Sequence, residues 1–235
     1  MTETKLTFMR HESKYLVPAE KFDAFWTELE PCVEPDTFFE SKVCSLYYDS
    51  DSYELIRASL DKPVYKEKLR LRSYGVPERD GTIFVELKKK YKGIVYKRRV
   101  QLSELSAMDW IAGGEMPGDG QIIRETDWVI RHRKLYPKVY IACDRLAYRG
   151  REDSELRITF DRSIRWRDTD LMLSAGDFGE ELLRDGQRLM EIKMPGSAPL
   201  WLSRLLSKHG IFPTSFSKYG TCYSENMAGK IFVTE

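Results

Sequence analysis

Hydrophobic and polar positions alternate with a period of two over several stretches of the chain, and each such stretch reads as a strand. Residues 6–16 alternate in this way. From Pro18 to Glu30 the period lengthens, so that Phe22, Phe25, Trp26 and Leu29 share one helical face behind a proline suited to a first turn. An apolar strand follows near Val43–Tyr48, then a short helical turn around Ser52–Ala58, then a long strand from Val64 to Tyr74 that stops at Gly75. The loop Gly75–Gly81 leads into a strand over Ile83–Tyr91, and Lys92-Gly93 is a tight-turn signal that returns Ile94–Leu102 antiparallel to it. Ser103 is a cap residue for a helix with Trp110 near its end. Gly113–Gly120, with four Gly and one Pro, is the best linker candidate. Strand signals resume at Val139–Tyr148, Leu156–Trp166 and Leu189–Met194, so no domain boundary is drawn there. A last helix, Leu200–Lys208, carries Leu202, Leu205 and Leu206 on one face and stops at His209-Gly210. The count of about eight strands with short connections predicts an α+β chain dominated by an antiparallel sheet large enough to close.

Each parity of a strand defines one face, and the parities sort the charge. In KEKLRLR, Lys66, Lys68, Arg70 and Arg72 share a face opposite Leu69 and Leu71. In FVELKKK, Glu86, Lys88 and Lys90 oppose Val85 and Leu87, and in the return strand Lys97 and Arg99 oppose Tyr96, Val100 and Leu102. Arg157, Thr159 and Asp161 oppose Leu156, Ile158 and Phe160; Glu191 and Lys193 oppose Met190 and Ile192; Arg10, Glu12 and Lys14 share a parity on the first strand. Any one of these strands alone reads as an ordinary half-buried strand with a solvated polar face. Together they make one surface of the sheet strongly cationic. Turned inward, that surface would have to be a hydrated channel filled by a polyanion and a metal, because burying unpaired cations costs several kcal/mol each. Arg offers bidentate donors and Lys a point charge, a combination suited to a chain of phosphates.

Composition adds constraints more than it adds identity. The 235 residues are 42% hydrophobic and 32% charged, ordinary globular proportions, and Lys plus Arg (38) against Asp plus Glu (37) gives a net charge of +1. Bulk charge therefore gives no reason to expect nucleic acid as a partner, and the basic face is a local segregation. The N-terminal Met-Thr-Glu-Thr-Lys lacks the layout of a signal peptide and the apolar runs are short, which leads to an expected cytoplasmic location. Cys32, Cys44, Cys143 and Cys222 form no CxxC pair, and His11, His132 and His209 have no zinc spacing. The acidic run Tyr47–Glu54 lacks the Gly and terminal Glu of a calcium loop and reads better as a helix cap.

The motifs RHESKY (Arg10–Tyr15), PVYKEKLRLRSYG (Pro63–Gly75), ELKKKYKGIVYKRRV (Glu86–Val100), LRITFD (Leu156–Asp161), LMEIK (Leu189–Lys193) and SFSKYG (Ser215–Gly220) occur in the order of the VTC domain. The chain resembles that family, the polyphosphate polymerases of the triphosphate tunnel metalloenzyme superfamily, over roughly residues 6–223. The resemblance implies a closed antiparallel eight-stranded β-barrel with flanking α-helices, one domain over residues 1–235. It also implies a metal-dependent transfer of the ATP γ-phosphate to inorganic polyphosphate, with Mn²⁺ or Mg²⁺ as cofactor and ADP released. Arg70, Arg72, Lys88, Lys97, Arg145, Arg157 and Lys218 fall on the family's phosphate ligands, and Glu191 on its metal-binding glutamate. Lys14, Lys68, Arg99, Lys193 and Ser217 are further substrate-binding candidates, and Glu12 and Glu86 further metal candidates. Lys193 and Lys68 have the competing reading of pairing with Glu191, Glu86 or Glu12. Asp161 reads as orienting Arg157 in preference to ligating a metal.

The first strand carries Arg10, Glu12 and Lys14 where the superfamily usually has two glutamates and a lysine. One carboxylate fewer favours the polymerase over a tripolyphosphatase or nucleoside triphosphatase, and leaves phosphate and water to complete the metal's coordination. A noncatalytic polyphosphate-binding module is the alternative of another class. Eukaryotic relatives work in membrane complexes, so a membrane protein partner that holds the chain at the inner face of a membrane is a further expectation of the resemblance. Trp201 and its helix are a candidate partner face.

Overall fold

The structure, a computed structural model, describes residues 10–92, 94–184 and 186–229. In chain order its strands are β1 (Arg10–Val17), β2 (Val33–Asp49), β3 (Tyr65–Tyr74), β4 (Thr82–Tyr91), β5 (Ile94–Ser103), β6 (Tyr136–Gly150), β7 (Arg157–Arg167), β8 (Glu180–Glu181), β9 (Arg188–Pro195) and β10 (Pro213–Thr214). The helices are α1 (Ala19–Leu29), α2 (Glu54–Leu60), α3 (Glu104–Ile111), α4 (Gln121–Arg133), α5 (Leu200–Lys208) and α6 (Lys218–Cys222). The α+β class is as expected. Among the described residues the sheet is not the closed eight-stranded barrel: it has ten strands in the order β10-β1-β9-β7-β6-β2-β3-β4-β5, with β8 beside β7, and it is open. The two additions, β8 and β10, are two residues each, too short to show a period. The end strand β5 carries Lys97, Arg98 and Arg99, charge of the kind that keeps an unpaired edge soluble.

The chain clusters into two compact units, one of residues 1–41, 144–163 and 183–216, the other of 42–143, 164–182 and 217–235. The divisions fall inside β2, β6 and β7, and Gly113–Gly120 lies within the second unit. In the first unit β1 pairs with β9 and β10, and β7 with β9, over a core of Phe25, Leu29, Ile158, Phe160, Met190, Ile192 and Leu202. The helical stripe of α1 supplies Phe25 and Leu29, while Phe22, Trp26 and Trp201 pack at the margin of this core. Residues 6–9 of the expected first strand lie outside the described residues.

In the second unit β2, β3, β4 and β5 pair antiparallel in sequence. Gly93 lies outside the described residues, but Tyr91 opposite Ile94 fixes the hairpin register. The strand β3 shows why the parity holds: Glu67, Leu69, Leu71 and Ser73 are buried while Lys66, Lys68, Arg70 and Arg72 between them are only half-buried. Full burial of a leucine is worth about 1.5–3 kcal/mol, so a one-residue slip would forfeit the core and turn the cations inward. The apolar face packs on α3 and α4 through Trp110, Val129 and Ile130.

Helix α4 has no counterpart in the sequence reading. Gly120 at its start gives no side-chain cap, and the exposed Trp128 interrupts the apolar face that Ile123, Val129 and Ile130 turn to the core. Polar ties add to that packing: Trp110 Nε1 donates to Asp127 Oδ1 at 2.9 Å, and Glu125 takes Lys89 at 2.7 Å and Arg98 at 3.1 Å. No disulfide forms; Cys44, Cys143 and Cys222 are buried and Cys32 is half-buried. Among the described residues no helix is long and apolar enough to cross a membrane.

Candidate functional site

In the second unit the cross-strand register assembles a cationic face. Arg70 lies opposite Glu86, Lys68 opposite Lys88, Glu86 opposite Arg99 and Lys88 opposite Lys97. Arg70 donates to Glu86 Oε2 through Nε at 2.8 Å and Nη2 at 2.7 Å, Lys97 Nζ stands 2.7 Å from Oε1, and Arg99 Nε donates to Oε1 at 2.8 Å. Arg72 is 3.9 Å from Oε2. The Glu86 side chain is 1% exposed. Burial alone would raise its pKa, but Arg70 and Arg72, then Lys97, hold the carboxyl well below the usual range. Glu86 thus does not fit the metal role expected of it: both oxygens are already taken by guanidinium and ammonium groups, and a divalent cation there would face four positive neighbours. Its chemistry is that of a fixed counter-ion that spaces the cations.

Strand β2 lends two more groups to this face. Ser45 is opposite Arg72 and accepts from its Nε and Nη2 at 3.3 Å each; Tyr47 is opposite Arg70 and accepts from its Nη1 at 3.2 Å. Burial opposes ionisation of Tyr47, and Arg70, Arg72 and Lys68 outweigh it, bringing the phenol down to about 8. The Tyr47 ring stacks on Tyr219, with centroids 4.9 Å apart. The Tyr219 hydroxyl donates to Asp49 Oδ2 at 2.9 Å, and Asp49 also accepts from the Leu55 and Ile56 amides at 2.8 and 3.0 Å. The expected cap over this acidic run is therefore present, made by Asp49 at the start of α2. Ser217 caps α6, accepting from the Gly220 amide and from Lys68 Nζ at 3.2 Å, and Lys218 is the first residue of that helix. Ser45 and Tyr47 escaped the sequence reading because Val43–Tyr48 reads as one apolar run; their parity with Asp49 was the available signal.

The first unit carries a different group. Lys14 lies opposite Glu191 and Lys193 opposite Glu12. Lys14 Nζ stands 3.4 Å from Glu191 Oε1 and 3.6 Å from Glu12 Oε1, while Lys193 Nζ stands 3.3 Å from Glu191 Oε2 and 3.9 Å from Glu12 Oε2. Lys193 thus does pair with both glutamates. Thr159, opposite Glu191 on β7, has a buried hydroxyl with no hydrogen-bond partner among the described residues. Asp161, fully buried, holds Arg145 in a bidentate pair, Nε to Oδ1 at 2.6 Å and Nη2 to Oδ2 at 2.8 Å. The expectation that Asp161 orients Arg157 is corrected: Arg145 takes the fork, and Arg157 lies 3.6 Å from Asp36. Parity along one strand could not see the neighbouring strand β6 from which Arg145 reaches.

Among the described residues no three His, Cys, Asp or Glu form a group able to hold a metal by themselves. Glu12, Glu191 and the orphaned Thr159 oxygen are hard donors all the same; their cation neighbours are two half-exposed lysines at 3.3–3.9 Å, looser than the contacts that occupy Glu86, so a divalent cation that displaces them and draws its remaining ligands from water and phosphate fits here better than at Glu86.

Comparison with solved structures places the fold. A proposed adenylate cyclase from Bacillus halodurans aligns with a TM-score of 0.55 at 15% identity, covering 88% of this chain and 92% of its own. An adenylyl cyclase candidate from Hippeastrum, described by a dominant triphosphatase activity, aligns with a TM-score of 0.51 at 16% identity, covering 92% of this chain and 96% of its own. At these identities the likeness is one of fold. Within it the family is defined by sequence: the VTC domain matches residues 9–226, and the chain belongs to that family. Comparison with curated proteins returned no match.

Proposed function

We propose that the protein is a metal-dependent polyphosphate polymerase, which transfers the γ-phosphate of ATP to inorganic polyphosphate and releases ADP. The observation that carries this reading is the face of β3, β4 and β5, where Lys68, Arg70, Arg72, Lys88, Lys97 and Arg99 surround the lone carboxylate of Glu86 in a VTC-family chain. An excess of fixed cations is equipment for phosphates, whose transfer needs positioning and charge neutralisation more than covalent help.

In this reading Arg70, Arg72, Lys88, Lys97, Arg145, Arg157 and Lys218 bind phosphate oxygens and spread the charge of the transition state. Arg99, Lys68 and Ser217, with Lys14 and Lys193 in the other unit, support binding. A terminal polyphosphate oxygen, ionised at neutral pH, forms the new bond to the γ-phosphorus. The β,γ-bridging bond breaks, and its electron pair stays on the β-phosphate of ADP, so no protein base is required. Glu86 keeps Arg70 and Arg99 extended, and Asp161 does the same for Arg145. A divalent cation, when bound, neutralises phosphate charge and would be held by Glu191 and Glu12 with Thr159 beside them. The cytoplasm, where ATP is plentiful, is the proposed location.

The test is to incubate the protein with ATP and Mn²⁺ or Mg²⁺ and resolve polymer, ADP and free phosphate, with Glu191→Ala alongside. Polyphosphate and ADP from the native protein alone are expected. Free phosphate without polymer would replace this reading with a tripolyphosphatase or nucleoside triphosphatase. Polyphosphate binding with neither product would leave a noncatalytic binding module.

A further inference from the structure

The cationic face of β3 and β4 extends past the residues assigned above. Beyond Lys68 and Lys88 it continues with Lys66 directly opposite Lys90, and then opens into a groove of about 560 Å³ lined by Lys62, Pro63, Val64, Lys66, Lys90 and Lys92. No acid and no aromatic ring is among these lining residues. The Lys92 amide donates to the Val64 carbonyl at 3.0 Å, which ties the segment before β3 to the turn after β4 and brings Lys62 and Lys92 to one groove.

One feature of this groove works against stability. Like charges directly across a ladder are unfavourable, and Lys66–Lys90 follows Lys68–Lys88 on the same face. Lys62 and Lys92 take left-handed backbone, with φ of 52° and 46°, because one follows the end of α2 and the other makes the β4–β5 hairpin turn, and these two chain reversals are what carry both lysines to the groove. The apolar side of β3 is satisfied by Leu69 and Leu71 and asks nothing of these lysines.

We propose that the groove is an extension subsite for a linear phosphate polyanion, holding the units of a long chain beyond those bound at Arg70 and Arg72. The inference rests on the polyphosphate reading and deepens it by assigning a place where chain length is felt. Same-face residues along a strand are spaced about 7 Å apart, so Arg72, Arg70, Lys68 and Lys66 form a continuous row of charges that ends in the groove. The lining is point charges with no ring of its own, and the neighbouring Tyr91 ring is already faced by Lys92 Nζ at 5.4 Å, an arrangement better suited to a phosphate chain than to a single-stranded nucleic acid, whose binding sites add free aromatic platforms.

The experiment compares the native protein with a Lys62→Gln/Lys90→Gln/Lys92→Gln variant, measuring direct binding of tripolyphosphate, of long-chain polyphosphate and of a single-stranded oligonucleotide without turnover. The variant is expected to lose about tenfold in affinity for the long chain, with a shallower salt dependence, and to bind tripolyphosphate unchanged. A Lys→Arg triple variant is expected to retain long-chain affinity, and a thermal melt checks that the Gln variant is folded. Equal losses for both phosphate ligands, or no loss for either, would overturn the proposal. So would oligonucleotide binding as tight as that of polyphosphate with the same dependence on the three lysines. A native protein that makes no polymer yet discriminates chain length through these lysines would remove the proposed activity and uphold the subsite.

Discussion

Replacing Glu86 with Gln withdraws the negative charge on which Arg70, Arg99 and Lys97 converge while keeping the size of the side chain. The carboxylate is 1% exposed and Arg70 20%, so the Arg70 pair is the desolvated one, whereas Lys97 at 43% and Arg99 at 35% are partly screened by water. Removing one partner from a buried pair typically costs about 3–5 kcal/mol, and the lower end applies where half the partners reach solvent. A loss of about 3 kcal/mol corresponds to a fall in Tm of roughly 6–12 °C for a chain of this size. The assay is thermal and denaturant unfolding in metal-free buffer, with and without tripolyphosphate. Because the anion offers the stranded cations new partners, added tripolyphosphate should stabilise Glu86→Gln more than it stabilises the native protein. The pH dependence follows from the depressed pKa of Glu86: its contribution is complete above the ordinary carboxylate range and is lost as pH falls through the lower folded value. The native protein should therefore lose stability on acidification more steeply than the variant. A loss below about 1 kcal/mol without metal would refute the counter-ion role. Selective loss of metal binding at unchanged stability would restore Glu86 as a metal ligand.

Asp161→Asn should destabilise the protein by about 3 kcal/mol and, by freeing the Arg145 fork, reduce phosphate affinity while leaving the apparent metal affinity unchanged; titrating ATP and metal separately distinguishes this from a ligand role, in which metal affinity would fall first. Tyr47, brought down to about 8, gains a negative charge among phosphate-binding cations as pH rises through that value. Tripolyphosphate affinity of the native protein should accordingly weaken above about pH 8 and that of Tyr47→Phe should not, with phenolate absorbance tracking the change; identical pH profiles would refute the assignment.

The cationic face was readable from sequence because it depends on one strand at a time. Lys66 to Arg72 alternate with leucines, and a period of two is visible without knowing any neighbour. What the chain does not reveal is which charges meet. Glu86 and Glu191 look alike in sequence, each on a basic strand, yet the register sets Glu86 between Arg70 and Arg99 and sets Glu191 between Lys14 and the unbonded Thr159 hydroxyl, with Lys193 beside it. Asp161 likewise found Arg145 from the neighbouring strand and not the nearer Arg157. Sheet closure was unreadable for a related reason: alternation predicts two faces whether the ends of a sheet meet or stay open. Helix α4 escaped the reading because its start, after the Gly-rich stretch ending at Gly120, carries no side-chain cap, and because its short apolar stripe of Ile123, Val129 and Ile130 is set among Arg124, Glu125, Asp127 and Arg131.

The hydrogen bond from Tyr219 to Asp49 joins positions 170 residues apart, and the pairing of Lys14 with Glu191 spans slightly more chain. Such long-range closures set the order of events during synthesis. While the ribosome is still making the last fifth of the protein, β3, β4 and β5 already have their lysines and arginines, but Ser217, Lys218 and the β9 strand do not yet exist. A nascent chain in that state displays a basic hairpin with nothing to complete it, beside the ribosome's own nucleic acid, and folding with so many distant contacts is slow. Under the proposed function, phosphate polymers would then act as folding ligands too, shielding the hairpin until the C-terminal segment arrives.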